Sequence, residues 1–256
     1  MTRGTLFIIA CGLISAAANF LGGMLVSRRL GQSALRYMIA LGAGFMLAAV
    51  FLKVMPETLE QWEGDALTPM AWLLAGYLLI QLVEHTVAPH FHFGEETHEE
   101  AMLRQGAATA GLAALMVHTF FDGVSIAVAS LVSAELGTLV FIAILLHKMP
   151  EGFTVASMML AAGRSQRGAR LASLFVGLTT LAGVVLVLIF HGIAAYSKPI
   201  STHVLPLSAG VTLYVAASDL IPEVNKREGG LKTSLLVFGG VAFYYLSESI
   251  LHSIIH

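Results

Sequence analysis

Four ionisable residues lie in pairs inside two apolar segments of the sequence. His118 and Asp122 occur in LMVHTFFDGVSIA, and His147 and Glu151 occur in LLHKMPEGFTVAS. The residues of each pair are four positions apart, so both side chains would project from one face of a helix. Two imidazoles and two carboxylates at similar depth suit zinc and other first-row divalent metals. Either pair alone is compatible with a structural histidine–carboxylate hydrogen bond, but two pairs on consecutive helices favour a metal site.

The composition places these pairs in a membrane protein. The chain has 256 residues, of which 57% are hydrophobic and 12% are charged, against about 25% charged residues in an ordinary soluble domain. This composition excludes a soluble enzyme, a nucleic-acid-binding protein and a disordered scaffold. Cys11 is the only cysteine, which excludes a disulfide framework and a thiolate metal cage.

Eight segments of the chain have the length and apolar character of a membrane span, which needs about 20 residues. They lie at 5–26, 35–55, 69–89, 105–131, 136–162, 168–193, 204–221 and 232–254. We interpret the first segment as a span and not as a signal peptide, because no small-residue cleavage site and polar start follow it. The sequence therefore predicts an all-α integral membrane protein with eight transmembrane helices in one domain, residues 1–256.

The basic residues predict the orientation of the chain. Ten of the 14 lysines and arginines lie in the loops after spans 1, 3, 5 and 7. Because basic loops stay in the cytoplasm, we expect both termini to be extracytoplasmic in a multi-pass protein of the cell (inner or plasma) membrane.

An internal repeat indicates how the spans are arranged. The segment GAGFMLAAVFLKVMPE, residues 42–57, aligns without gaps with SAGVTLYVAASDLIPE, residues 208–223. The two copies are five crossings apart, so they run in opposite directions through the membrane. This predicts inverted three-helix repeats (spans 1–3, residues 5–89, and spans 6–8, residues 168–254) around spans 4 and 5 (residues 105–162). Chance similarity between helices rich in Ala, Gly and Leu is the alternative explanation.

With these features the chain resembles the ZIP (Zrt/Irt-like protein) family of divalent metal transporters. The resemblance is carried by the H-x-x-x-D-G pattern of span 4, HKMPEG of span 5 and the Pro-Glu that ends span 7. It implies a zinc-type transport site at the four residues above. It also implies alternating access with an elevator-like slide, movement of metal toward the cytoplasm, and a homodimer. The expected substrate is Zn²⁺, and Cd²⁺, Fe²⁺, Mn²⁺ or Co²⁺ are not excluded.

The sequence departs from family members that bind two metals. Those members have Asn, a carboxylate and Glu where this chain has Thr119, Lys148 and Thr180. We therefore expect one midplane ion per chain. We further expect Lys148 to pair with Asp122 and Glu151 in place of a second cation. The alternative is that Lys148 faces a water-filled part of the pathway and touches no carboxylate.

The residues around the loop between spans 3 and 4, residues 90–104, form a candidate metal exit. The family resemblance places this loop in the cytoplasm, where it would accept metal with low affinity. A solvated acidic linker is the alternative. The candidate ligands in and just before the loop are Glu84, His85, His90, His92 and His98.

A candidate gate comes from the repeat. Lys53 and Asp219 occupy equivalent positions of the two copies, and we expect them to pair when an outer gate closes. Alternatively, each side chain reaches the headgroup region independently.

Two other classes of protein use similar residues. An intramembrane zinc-dependent hydrolase needs three metal ligands, an open position for water and a general base. A metal sensor needs a soluble output domain, which we do not expect from the apolar segments of this sequence. We predict a transporter of divalent metal in the lipid bilayer, without catalytic residues.

Overall fold

The protein is described from a computed structural model that covers residues 3–26, 32–60, 62–87, 105–192, 200–225 and 231–255. These residues form eight long helices and no strands. The helices are α1 (Arg3–Leu25), α2 (32–60), α3 (Leu67–Val87), α4 (Gln105–Val132), α5 (Ala134–Ala161), α6 (Gln166–His191), α7 (200–225) and α8 (Leu231–Ile255). The prediction of an all-α fold is therefore confirmed for the described residues.

Seven of the eight helices are long and apolar enough to cross a membrane. The exception is α7, which is divided into two α-helical and two π-helical segments. The predicted spans match the helices to within a few residues, and α7 extends beyond the predicted 204–221 at both ends.

Local capping sets the boundaries of the central helices. Ser133 separates α4 from α5 with an extended backbone, and its hydroxyl accepts a hydrogen bond from Leu136 N. Ser165 caps α6 in the same way by accepting from Gly168 N. Gly163 has a φ of 77° after the end of α5, a conformation that glycine adopts without the steric cost of a side chain.

The helices pack in two sets. Helices α1, α4, α5 and α6 pack against one another, whereas α2 packs along α8 and α3 packs along α7. The sets meet where α2 contacts α5 and where α7 contacts α4. Lys53 near the end of α2 meets Glu135 at the start of α5 and Glu248 near the end of α8. These residues define one face of the bundle, here called face A, where even-numbered helices end and odd-numbered helices begin. The opposite face is called face B.

Glycines bring α2 against α8 and α3 against α7 in the same manner. A side chain at Gly44 of α2 would collide with the carbonyl of Val237 in α8, and one at Gly210 of α7 would collide with the carbonyl of Leu73 in α3. Two reciprocal contacts complete the set: Gly240 with Leu41, and Gly76 with Leu207. Each of these glycine contacts between α2 and α8 thus has a counterpart between α7 and α3.

Helices α2 and α7 share a second feature, a π-helical turn before a proline. The turn is Val50–Val54 in α2 and Val215–Leu220 in α7. Pro56 and Pro222 follow these turns. Proline lacks an N–H and its ring clashes with the carbonyl four residues earlier, which accounts for the wider hydrogen-bonding pattern just before each proline.

Candidate metal centre

Helices α4 and α5 bring the four predicted ligands together at mid-height in the bundle. His118 and Asp122 lie one turn apart on α4, and His147 and Glu151 lie one turn apart on α5. All four side chains are buried, and each offers one ligand atom within 4.8 Å of the other three. Ser133 is the only residue between the two helices, so the connection fixes their register and brings both pairs to the same depth.

The distances between these atoms approach those of a zinc site. His118 Nε2 lies 3.3 Å from Asp122 Oδ2 and 3.9 Å from Glu151 Oε2. His147 Nε2 lies 3.5 Å and 3.9 Å from the same two oxygens. Ligands placed about 2.0–2.1 Å from a tetrahedral zinc ion are about 3.4 Å apart. The four ligand atoms all lie within 4.8 Å of one another, so they would have to move closer together to complete a four-coordinate site.

The backbone orients the imidazole of His147. Its Nδ1 lies 3.2 Å from the carbonyl oxygen of Ala143, one turn earlier on α5. A neutral ring that donates from Nδ1 to this carbonyl presents the lone pair of Nε2 to the centre of the site. Metal-binding histidines are commonly held by such a second hydrogen bond.

Lys148 is the counter-charge of the two carboxylates. Its side chain is fully buried, and its Nζ lies 2.6 Å from Asp122 Oδ2 and 2.8 Å from Glu151 Oε2. The structure thus agrees with the expected pairing and not with the alternative in which Lys148 touches no carboxylate. The ammonium contacts the same two oxygens that face the histidines.

The other oxygen of Glu151 has different neighbours. Thr119 Oγ1 lies 2.7 Å from Glu151 Oε1 and 2.6 Å from Leu115 O, so its single proton is donated to one of them at a time. Asn19 Nδ2 of α1 donates to Glu151 Oε1 at 3.0 Å. Thr119 therefore supports a ligand in this arrangement. Thr180 is buried on α6, where its carbonyl approaches Gly123, the residue after Asp122.

A small cavity lies between the site and acidic residues near face B. His118, His147 and Glu151 line it together with Glu84 from the end of α3 and Asp219 from the end of α7. Glu84 is buried and accepts a hydrogen bond from the hydroxyl of Tyr214 at 3.0 Å.

The structure changes the interpretation of the proposed exit residues. Glu84 lies inside α3 and faces the cavity, so it does not belong to the following loop. His85 is exposed, and its Nδ1 contacts the carbonyl oxygen of Gln81 on the same helix at 2.8 Å. His90, His92 and His98 lie outside the described residues.

The predicted pairing of Lys53 with Asp219 is wrong in this structure. Lys53 Nζ lies 2.7 Å from Glu135 Oε1 at the start of α5 and 3.8 Å from Glu248 Oε1 near the end of α8. Asp219 instead lines the cavity near face B with Glu84. The physical reason is direction: α2 and α7 are five crossings apart, so their ends lie at opposite faces.

Comparison with known proteins identifies the family. The sequence model of the ZIP zinc transporter family matches residues 92–248, which is more than half of the chain and includes all four candidate ligands. The chain belongs to the ZIP family.

Individual ZIP proteins show partial similarity. Zinc transporter ZIP9 of Micropogonias undulatus is 33% identical over 160 residues, which cover 60% of this chain and 50% of ZIP9. Zinc transporter ZIP9 of Xenopus tropicalis is 32% identical over 160 residues, with 60% and 52% coverage. Zinc transporter ZIP13 of Pongo abelii is 25% identical over 238 residues, with 88% and 70% coverage. The chain thus spans about half the length of the ZIP9 relatives that it matches.

One residue of the site was missed by the sequence analysis. Asn19 is a fully buried amide in α1, whose residues are mostly apolar. A polar side chain at membrane depth is costly, so its presence in span 1 was a usable signal. Its partner, however, lies 132 residues away in the sequence.

Proposed function

We propose that this chain carries zinc across a membrane and that His118, Asp122, His147 and Glu151 bind the ion in transit. The observation that carries the proposal is the buried cluster of four ligand atoms that lie within 4.8 Å of one another. Membership of the ZIP family and the names of the relatives support zinc as the substrate. The ligand set also suits Cd²⁺, Fe²⁺, Mn²⁺ and Co²⁺, which are the competitors to test.

We propose one ion per chain at this depth. With neutral histidines, two carboxylates and the Lys148 ammonium give the empty site a net charge of about −1. One zinc ion changes that charge to about +1, and a second would change it to about +3. A second ion at the midplane is therefore electrostatically disfavoured, and the neutral side chains of Thr119 and Thr180 offer it no carboxylate.

The cavity supports release of zinc at face B. Three of the four ligands line the same cavity as Glu84 and Asp219, which come from the face-B ends of α3 and α7. The loops at that face contain most of the basic residues, so the positive-inside rule makes it the cytoplasmic side. In this proposal zinc moves toward the cytoplasm of a cell with the protein in its inner or plasma membrane, and both termini are extracytoplasmic.

Alternating access follows from the proposed inverted repeat. The equivalent glycine contacts of α2–α8 and α7–α3, and the paired π-helical turns, support that repeat. We propose that α1, α4, α5 and α6 move relative to the other four helices. The ion pair between Lys53 of α2 and Glu135 of α5 joins the two sets near face A. Opening of face A would require this pair to separate.

A further proposal comes from the family and the exposed surface. Helices α3 and α8 are the least buried of the candidate spans, so they are available to lipid or to a second copy in a homodimer. The hydrolase hypothesis is not retained, because the relatives reported above are named as transporters.

Zinc uptake by proteoliposomes tests the proposed function. The purified chain should carry zinc into vesicles that contain a zinc-sensitive dye, and His118→Ala should abolish uptake or reduce it greatly. His252→Ala is the matched control, since His252 is exposed on α8 and should leave uptake unchanged. Uptake by His118→Ala at the wild-type rate at every zinc concentration would refute the site, and absence of uptake by the wild type would refute the function.

A further inference from the structure

Helix α1 contributes a buried amide to the metal centre. Asn19 has no exposed surface, and its Nδ2 donates to Glu151 Oε1 at 3.0 Å. The amide nitrogen must face the carboxylate, because the amide oxygen would repel it. Asn19 Oδ1 has no hydrogen-bond partner among the described residues. Among the described residues, Glu151 is therefore the one hydrogen-bond partner of the Asn19 side chain.

Close helix packing places the amide at this position. A side chain at Gly152, next to Glu151, would collide with the backbone carbonyl of Asn19. A side chain at Gly22, one turn further along α1, would collide with the backbone carbonyl of Met149. Both glycines let the backbones of α1 and α5 touch, which brings a short amide side chain within reach of the carboxylate.

The two carboxylate oxygens of Glu151 have different neighbours. Oε1 receives Asn19 Nδ2 and lies 2.7 Å from Thr119 Oγ1. Oε2 faces the site, 3.9 Å from the Nε2 atoms of both histidines and 2.8 Å from Lys148 Nζ. A carboxylate held through one oxygen cannot rotate freely, so it presents the other oxygen to an incoming ion in a fixed direction.

We propose that Asn19 is a positioning residue for zinc, acting through Glu151. By holding Oε1, Asn19 makes Glu151 a ligand through Oε2 alone and reduces the reorganisation needed to bind a tetrahedral ion. Partners that orient a ligand in this way commonly change metal affinity by about 10–100-fold when they are removed. The inference rests on the proposed function, because it assigns Asn19 a role in the same site.

Zinc affinity of the purified full-length chain in detergent tests this role. Asn19→Leu keeps a similar shape without the donor, and Asn19→Ala serves if the leucine variant does not fold. Either should weaken zinc binding about 10–100-fold, whereas Ser15→Ala should stay within about twofold of the wild type. Ser15 is the matched control, because it is a fully buried polar residue one turn earlier on α1 and its hydroxyl has no hydrogen-bond partner among the described residues.

A double-mutant cycle separates positioning from packing. In a Glu151→Ala background, adding Asn19→Leu or Asn19→Ala should change zinc affinity by less than about twofold, because the residue that Asn19 positions is gone. An equal loss in both backgrounds would overturn the inference. Unchanged affinity of the single Asn19 variants would also overturn it and leave the proposed function intact. Failure of the wild type to bind zinc would refute the proposed function and the inference with it.

Discussion

Removal of the buried ammonium should make the stability of the protein depend on zinc. Lys148 Nζ lies 2.6 Å and 2.8 Å from two buried carboxylates. Removing one partner of a buried ion pair typically costs about 3–5 kcal/mol, since the remaining charge is left uncompensated. Lys148→Met retains most of the side-chain length without the charge. We therefore expect the zinc-free variant to lose about 3–5 kcal/mol of unfolding free energy.

Bound zinc should replace the missing charge in this variant. In the presence of saturating zinc, the difference in unfolding free energy from the wild type should fall below about 1 kcal/mol, because the carboxylates again have a cation beside them. The assay is denaturant unfolding in mixed micelles, followed by helical circular dichroism, with zinc and with a chelator.

An exposed lysine provides the matched control for the Lys148→Met variant. Lys232→Met makes the same substitution at an exposed position of α8 and should have little effect with or without zinc. The counter-charge role would be refuted if the Lys148→Met variant were as stable as the wild type without zinc. It would also be refuted if the variant were equally destabilised with and without zinc.

Three other predictions address protons, stoichiometry and the face-A ion pair. Zinc affinity should fall as the pH is lowered from about 8 to about 5, because protons compete for the imidazoles; an affinity that stays constant in a calorimetric titration would contradict histidine ligation. The double variant Lys148→Asp, Thr180→Glu should bind more zinc per chain than the wild type, as measured by native mass spectrometry. An unchanged zinc content would count against a second metal site near Lys148 and Thr180. Lys53 Nζ lies 2.7 Å from Glu135 Oε1, so Lys53→Glu and Glu135→Lys should each reduce zinc uptake if this ion pair stabilises one transport state. The double variant, which restores the pair with its charges exchanged, should recover part of the uptake, and no recovery would argue against that role.

The metal pairs could be predicted from the sequence because their geometry is local. Spacing of four residues fixes His118 with Asp122 and His147 with Glu151 on helix faces, and the short α4–α5 connection matches their depth. The Lys148 contacts also followed from spacing and from the cost of burying an ammonium.

Contacts between distant helices were harder to predict. Asn19 reaches Glu151 only because glycine lets α1 and α5 touch, and no local pattern in span 1 specifies that contact. Glu84 was grouped with the exit residues just before the loop, because its burial beside Tyr214 depends on the packing of α3 against α7. The Lys53–Asp219 pairing failed because equivalent residues of oppositely directed helices lie at opposite faces.

The most direct test is to locate the ion in the protein. Crystals grown with zinc should show one anomalous peak per chain at mid-height, about 2.0–2.2 Å from His118 Nε2, His147 Nε2, Asp122 Oδ2 and Glu151 Oε2. A second midplane peak would contradict the single-ion proposal. The absence of a peak among these four residues in a protein that binds and transports zinc would contradict the proposed site itself.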